Sequence, residues 1–343
     1  MVKKIIPKDQ INTLLLHLSE KYTVYVPMKD KNELKFQTFD PNSETPHHLD
    51  NFQNTRTPPK EILFPQKEVL FSYKTEGQDV KIVEPSMEEP KKIIFGVRSC
   101  DARSFQILDT FFASGKYSDP YYFKHRNATL VVGLACNYPY STCFCTSVGG
   151  GPFSTDGLDA FLVDLGDSYL IESISLKGDF LIPYLQEFKD PHADVDKEVA
   201  KLKEKAEASM KSALDLSKIE KDLDLKFDDA IWQDYSKKCL NCSVCTFFCP
   251  TCHCFDVQEI SKKNGGERVR IWDSCQSSLF TQEASGYNPR SVGEKRVRQR
   301  IYHKFNFYPK NYQILGCVGC GRCSRNCPEH EDIRDILGNV ISG

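Results

Sequence analysis

No stretch of the 343-residue chain is apolar for long enough to cross a membrane. The longest such runs, Thr129 to Ala135 among them, fall far short of the roughly 20 residues that a bilayer span requires. Charge of one sign is also missing: the formal net charge is −2, which removes any global electrostatic reason to bind nucleic acid or a membrane surface and leaves only local patches. The opening Met1-Val2-Lys3-Lys4-Ile5-Ile6 has neither a long apolar core nor a small-residue cleavage site, so a cytoplasmic location is expected, where reducing conditions disfavour disulfides. Nor is there a dinucleotide fingerprint. Gly149-Gly150-Gly151-Pro152 lacks the preceding strand, the G-x-G-x-x-G spacing and the later acidic residue, and reads as a turn. No serine, histidine or carboxylate constellation stands at an interpretable spacing, so no catalytic residue is assigned.

What the chain does have is cysteine, fifteen in all. Eight lie in two runs, Cys239-Leu240-Asn241-Cys242-Ser243-Val244-Cys245-Thr246-Phe247-Phe248-Cys249-Pro250 and Cys317-Val318-Gly319-Cys320-Gly321-Arg322-Cys323-Ser324-Arg325-Asn326-Cys327-Pro328. Both follow C-x2-C-x2-C-x3-C-P. Structural zinc prefers two pairs closing one tetrahedron, whereas three cysteines two residues apart wrap one side of a [4Fe-4S] cube and leave a fourth to come from elsewhere. In two-cluster ferredoxins the last cysteine of each run ligates the other run's cluster. That rule assigns Cys239, Cys242, Cys245 and Cys327 to one [4Fe-4S] cluster and Cys317, Cys320, Cys323 and Cys249 to a second. The two runs must then meet in space.

The rest of the chain predicts an α+β protein in three parts: an N-terminal α/β domain over 1–185, a charged helical linker over 186–230, and a helical two-cluster ferredoxin-like domain over 231–343. Ile11, Leu14, Leu15 and Leu18 recur at helical spacing before a strand over 22–26. The proline-rich, polar stretch 40–59, with Pro41, Pro46, Pro58 and Pro59, reads as a long loop; His47 and His48 within it are expected at the solvent rather than on a metal. A strand over 92–97, a helix over 102–112 with Asp101 as its N-cap, and a strand over 130–135 form a β-α-β unit with parallel pairing. A hairpin over 161–174 closes this part. Val195, Val199, Leu202, Ala206, Met210 and Ala213 draw a thin apolar stripe along the linker helix. The long segment between the runs has helical character, notably Glu294 to Phe305.

Cys100 and Cys136 fall just past the carboxyl ends of neighbouring strands, the edge where open α/β sheets carry their sites, and Cys143 and Cys145 follow in a loop that can fold back. These four are candidates for a third [4Fe-4S] cluster; the competing reading is a set of buried or free thiols. Cys252, Cys254 and Cys275 remain as metal candidates, either for another cluster or as replacements within the third, against a packing role; His253 is expected to be their neighbour. Arg268, Arg270, Arg290, Lys295, Arg296, Arg298 and Arg300 either raise cluster potentials, form a docking surface for an acidic partner, or are a solvated basic face.

Taken together, Gly96-Val97-Arg98-Ser99-Cys100-Asp101, Cys136 with Cys143-Phe144-Cys145, Cys249-Pro250-Thr251-Cys252-His253-Cys254, Trp272-Asp273-Ser274-Cys275-Gln276 and the second run resemble a known family over most of the chain. It comprises the iron-sulfur beta subunit of soluble sulfur-reducing nickel-iron hydrogenases (sulfhydrogenases) and the corresponding iron-sulfur subunit of anaerobic sulfite reductase. The Trp272 to Gln276 stretch and Ile107-Leu108-Asp109-Thr110 look closer to the hydrogenase branch. After Cys327 the family often has apolar residues where this chain has Glu329-His330-Glu331. The resemblance implies an electron-relay subunit between a flavoprotein that binds FAD and NAD(P) and a catalytic partner, which is a nickel-iron hydrogenase or next a sulfite reductase, with no nucleic acid and no membrane insertion. Two alternatives stay open: a self-sufficient redox enzyme with a flavin or extra cluster in the N-terminal domain, and an iron-sulfur redox sensor.

Overall fold

The computed structural model describes residues 2–31, 33–42, 47, 49–50, 52–210 and 214–342. Among the residues named above, Met1, Pro46, His48 and Ala213 lie outside these. The helical period at Ile11 to Leu18 forms the helix Ile11–Ser19, in which Ile11, Leu14, Leu15 and Leu18 are buried. They cover one face of a seven-stranded sheet built from β1 (Lys3–Pro7), β2 (Thr23–Asp30), β3 (Glu33–Thr38), β6 (Lys92–Val97), β7 (Thr129–Leu134), β8 (Ala160–Asp164) and β9 (Ser168–Ser173), in the order β1-β9-β8-β7-β6-β2-β3. The central strands β2, β6, β7 and β8 run parallel, and β1, β3 and β9 join antiparallel.

Every residue of β6 is buried, as expected of a parallel strand covered on both faces. Period-two alternation sends Ile93 and Phe95 into one core with Leu14 and Leu18 and Ile94 into the other, and a register shift between Phe95 and Val97 turns Val97 to the side of Ile94, with Phe105 and Leu108 of the helix Ser99–Phe112. That helix begins one residue past the Arg98 N-cap, so Asp101 sits in its first turn and does not cap it. The physical reason is a stronger partner: its carboxylate accepts from both terminal nitrogens of Arg322, at 2.6 and 2.8 Å.

A second, four-stranded antiparallel sheet runs β10 (Phe255–Lys262), β11 (Gly265–Trp272), β4 (Lys67–Glu76), β5 (Asp79–Val83). Its two halves come from opposite ends of the chain. The segment between the cysteine runs therefore opens with a hairpin that pairs with β4 and only then turns helical, over Gly293–Tyr302. The seam is locked by Arg270, buried between Glu68 at 2.6 Å and Asp119 at 2.5 Å, with His125 3.0 Å from Glu68. Burial alone would raise the Glu68 carboxyl; His125 and Arg270 outweigh it and hold it below the usual glutamate range. The stability this supplies is present at neutral pH and is lost as pH falls through that lowered value. Glu68→Gln is expected to cost about 3 kcal/mol in anaerobic urea unfolding at neutral pH, and the gap from the unsubstituted chain should narrow in acid.

The charged segment after residue 190 is not free of the body. Val195 and Ala206 of the helix Val195–Ala208 are buried, with Val199 and Leu202 packed on the same core. Leu216, Ile219 and Leu223 enter a third core with Trp232, Ile301, Phe305 and Leu337. Among the described residues no helix is long and apolar enough to cross a membrane.

Candidate iron-sulfur sites

Each cysteine run ends in a one-turn helix, Val244–Phe247 and Arg322–Arg325, and each helix is entered through a left-handed residue, Ser243 at φ 66° and Gly321 at φ 70°. The two short helices pack on each other, so the runs meet. Cys239, Cys242, Cys245 and Cys327 border one cavity. Cys317, Cys320, Cys323 and Cys249 border a second, with about 310 Å³ of empty space. The last cysteine of each run thus stands with the first three of the other.

Cys100, at the start of its helix, and Cys136, just beyond β7, are joined by Cys143 and Cys145 around a third cavity of about 360 Å³. The loop carrying the last two is fastened to the second run: Phe144 N–H donates to Gly319 O at 2.8 Å. Gly319 has φ +63°, and a Cβ there would lie 2.5 Å from the backbone of Phe144 and Cys145, so only glycine permits this approach. The three cavities form a row. Cys320 borders the third and second, and Cys323 borders the second and first.

The chemistry of the lining fits an anionic, thiolate-held cofactor. Burial pushes the thiols of Cys143, Cys145, Cys245 and Cys317 up to about 12, so as free thiols they would be protonated and inert, and a metal is what makes such groups thiolates. Buried cations line the same cavities. Arg98 borders the third, with its guanidinium donating to the carbonyls of Phe52, Leu134 and Ala135 and its Nε left unpartnered. Arg300 borders the first and second, with Nη2 unpartnered, and Lys304 borders the second. Among the described residues none of these three has a carboxylate within ion-pair distance. Buried charges without counter-charge are costly, and cations beside a cluster stabilise its more negative state.

The basic residues singled out in the sequence do not form one surface. Arg270, Arg296 and Arg300 are buried, Arg296 donating to the carbonyls of Arg290 and Ser291, both at 2.9 Å. Arg298 lies 3.8 Å over the Phe227 ring, and Arg268 pairs with Glu259 at 3.7 Å. The solvated-face reading fails for the three buried arginines: carboxylates hold Arg270, carbonyls hold Arg296 and a cysteine thiol stands beside Arg300. Glu331, in the polar stretch after Cys327, reaches Lys238 at 3.7 Å. His253 is buried and stacked 3.6 Å from the Phe111 ring, a wall residue beside Cys252 and Cys254.

Four functional side chains escaped sequence reasoning. Arg98 and Arg322 stood within motifs that were read for their cysteines and glycines, where a cation two residues from a ligand was the available signal. Lys304 looked like one more helical lysine, and Lys60 sat between the loop over 40–59 and the strand over 92–97, where the sequence offered no motif.

Comparison with known proteins agrees with this geometry. Residues 238–331 match the model of the 4Fe-4S dicluster domain. The chain is 33% identical over 328 residues to sulfhydrogenase 2 subunit beta of Pyrococcus furiosus, covering 95% of this chain and 94% of that one. No solved structure matches. With both ferredoxin-type runs inside the matched domain and the similarity extending across the α/β part as well, the chain belongs to the sulfhydrogenase beta-subunit family of 4Fe-4S dicluster proteins.

Proposed function

We propose that this chain is the electron-relay subunit of a cytoplasmic multi-subunit oxidoreductase, set between a flavoprotein that binds FAD and NAD(P) and a catalytic subunit of the nickel-iron hydrogenase type. The observation that carries the reading is the row of three thiol-lined cavities that share Cys320 and Cys323. In this reading Cys239, Cys242, Cys245 and Cys327 hold the first [4Fe-4S] cluster, Cys317, Cys320, Cys323 and Cys249 the second, and Cys100, Cys136, Cys143 and Cys145 a third. Such clusters supply single-electron storage and transfer when bound. The protein's own part is to fix the thiols, exclude water with Phe144 and Val318, and set local charge with Arg98, Arg300 and Lys304, all buried. At one end of the row Cys242 is exposed, beside Leu240 at 61% exposure, which suits contact with a partner. The hydrogenase assignment rests on the relative's name and on the Trp272 to Gln276 stretch; a sulfite reductase partner is the second choice.

The test uses the purified chain. It should accept and return electrons reversibly in a dithionite titration without consuming hydrogen, sulfite or NAD(P)H, and should gain NAD(P)H-dependent reduction when its co-purifying flavoprotein is added. Turnover of NAD(P)H by the chain alone would establish a self-sufficient enzyme instead. Partner affinity that follows oxidation state, without electron transfer, would establish a sensor.

A further inference from the structure

Cys252, Cys254 and Cys275 belong to none of the three cavities in the row, yet they border one of their own. It has about 310 Å³ of empty space, the same as the cavity of Cys249, Cys317, Cys320 and Cys323. Cys252 and Cys254 lie just before β10 and Cys275 just after β11, and Asp273 N–H donates to Cys254 O at 2.9 Å, tying the two ends of the hairpin together. We propose that this cavity holds a further iron-sulfur cluster bound by three thiolates, with one corner free of cysteine. The site lies off the row and goes beyond the relay reading.

The plain alternative is three buried thiols serving as small core residues. Two observations count against it. All three thiols border one cavity, and buried cations that meet no carboxylate among the described residues stand beside it. Arg300 places Nη1 3.8 Å from Cys252 Sγ. Lys304 donates to Thr251 Oγ1 at 2.8 Å and Gly316 O at 2.9 Å. Lys60 donates to Cys252 O at 2.7 Å from 4.1 Å above the Trp272 ring. All three are buried, and among the described residues none meets a carboxylate. Arg300 and Lys304 border both this cavity and that of Cys249; Lys60 lines neither and reaches the site through the Cys252 carbonyl. Neutral thiols would leave this cation uncompensated, whereas thiolates on iron compensate it.

Cys254 and Cys275 are within side-chain hydrogen-bond reach of each other, and Cys252 is within reach of Cys249 of the second cavity, so the three thiols stand close together beside the second cavity. His303 borders the cavity of these three thiols too, while His253 is engaged through Nδ1 with Thr251 O at 3.0 Å. The turn His303–Phe307 that carries His303 and Lys304 is π-helical, an irregularity that recurs at functional sites.

The experiment counts iron and acid-labile sulfide in the full chain, purified anaerobically, beside the Cys275→Ser variant. The variant should lose about three to four irons and a like amount of sulfide per chain, and should lose a three-iron EPR signal that mild oxidation generates in the unsubstituted chain from the corner without cysteine. The reduced signals of the dicluster should stay. Unchanged iron in C275S, or zinc without sulfide lost from it, overturns this proposal and leaves the relay reading standing. Absence of iron from the unsubstituted chain overturns the relay reading itself. If C275S does not accumulate as folded protein, the unsubstituted chain decides: a three-iron signal near one spin per chain on mild oxidation supports the site, and its absence overturns it.

Discussion

Replacing Asp101 by alanine will cost the folded protein about 3–5 kcal/mol, enough to shift the folding equilibrium by a factor on the order of 10²–10⁴. Asp101 and Arg322 are 1% and 0% exposed at their side chains, and among the described residues the guanidinium is otherwise held only by Thr55, through O at 2.7 Å and Oγ1 at 3.2 Å. Alanine would leave that charge buried without a counter-ion. The pair joins the helix that carries Cys100 to the run that carries Cys320 and Cys323, so the loss will also loosen the contact between the third and second cavities. Because a buried ion pair gains little over apolar residues of similar volume, the double substitution Asp101→Leu with Arg322→Met should recover most of the stability lost in D101A. Anaerobic urea unfolding of the unsubstituted chain and the two variants measures this, and equal destabilisation in the single and double variants would show that the pair is not the source.

The second large effect is expected from Cys136→Ser. Cys136 is anchored by its N–H to Pro152 O at 3.0 Å and stands past β7, so the hydroxyl of serine would occupy the same place with a far weaker ligand for iron. The variant should contain about four fewer irons and sulfides per chain, keep the EPR signals of the dicluster, and fail to pass electrons along the full row. The cavities meet in sequence through Cys320 and Cys323, so removing the end member interrupts the route without touching the other two. Full iron content in C136S would remove the third cluster from the account and return Cys100, Cys136, Cys143 and Cys145 to the role of buried thiols.

The parts of this molecule that were legible in its sequence are those whose chemistry is local. The spacing within each cysteine run states a cluster's geometry in a dozen residues, and the apolar Ile93 to Val97 of β6, with the helix and β7 behind it, states a parallel strand and its crossover. What stayed hidden depends on partners far along the chain. β10 and β11 alternate weakly, with Gln258, Glu259 and Arg268 among their polar residues, and only β4, nearly 200 residues earlier in the chain, makes sense of them. Asp101 has the residue type and position of a helix cap, and a guanidinium 221 positions away redirects it. Arg270, Arg296 and Arg300 have the spacing of a solvent face because sequence charge does not reveal whether the anion to be balanced is water, a carboxylate or a cofactor.

The most direct test of the central claim, that this chain carries electrons on thiolate-held iron-sulfur cubes, is quantitative low-temperature EPR of the anaerobically purified, dithionite-reduced protein together with its metal content. The account predicts iron and acid-labile sulfide in equal amounts, no stoichiometric zinc, and the broadened spectrum of several reduced [4Fe-4S] clusters that interact through space. Zinc in place of iron, or iron without sulfide and without a cluster signal, would contradict it.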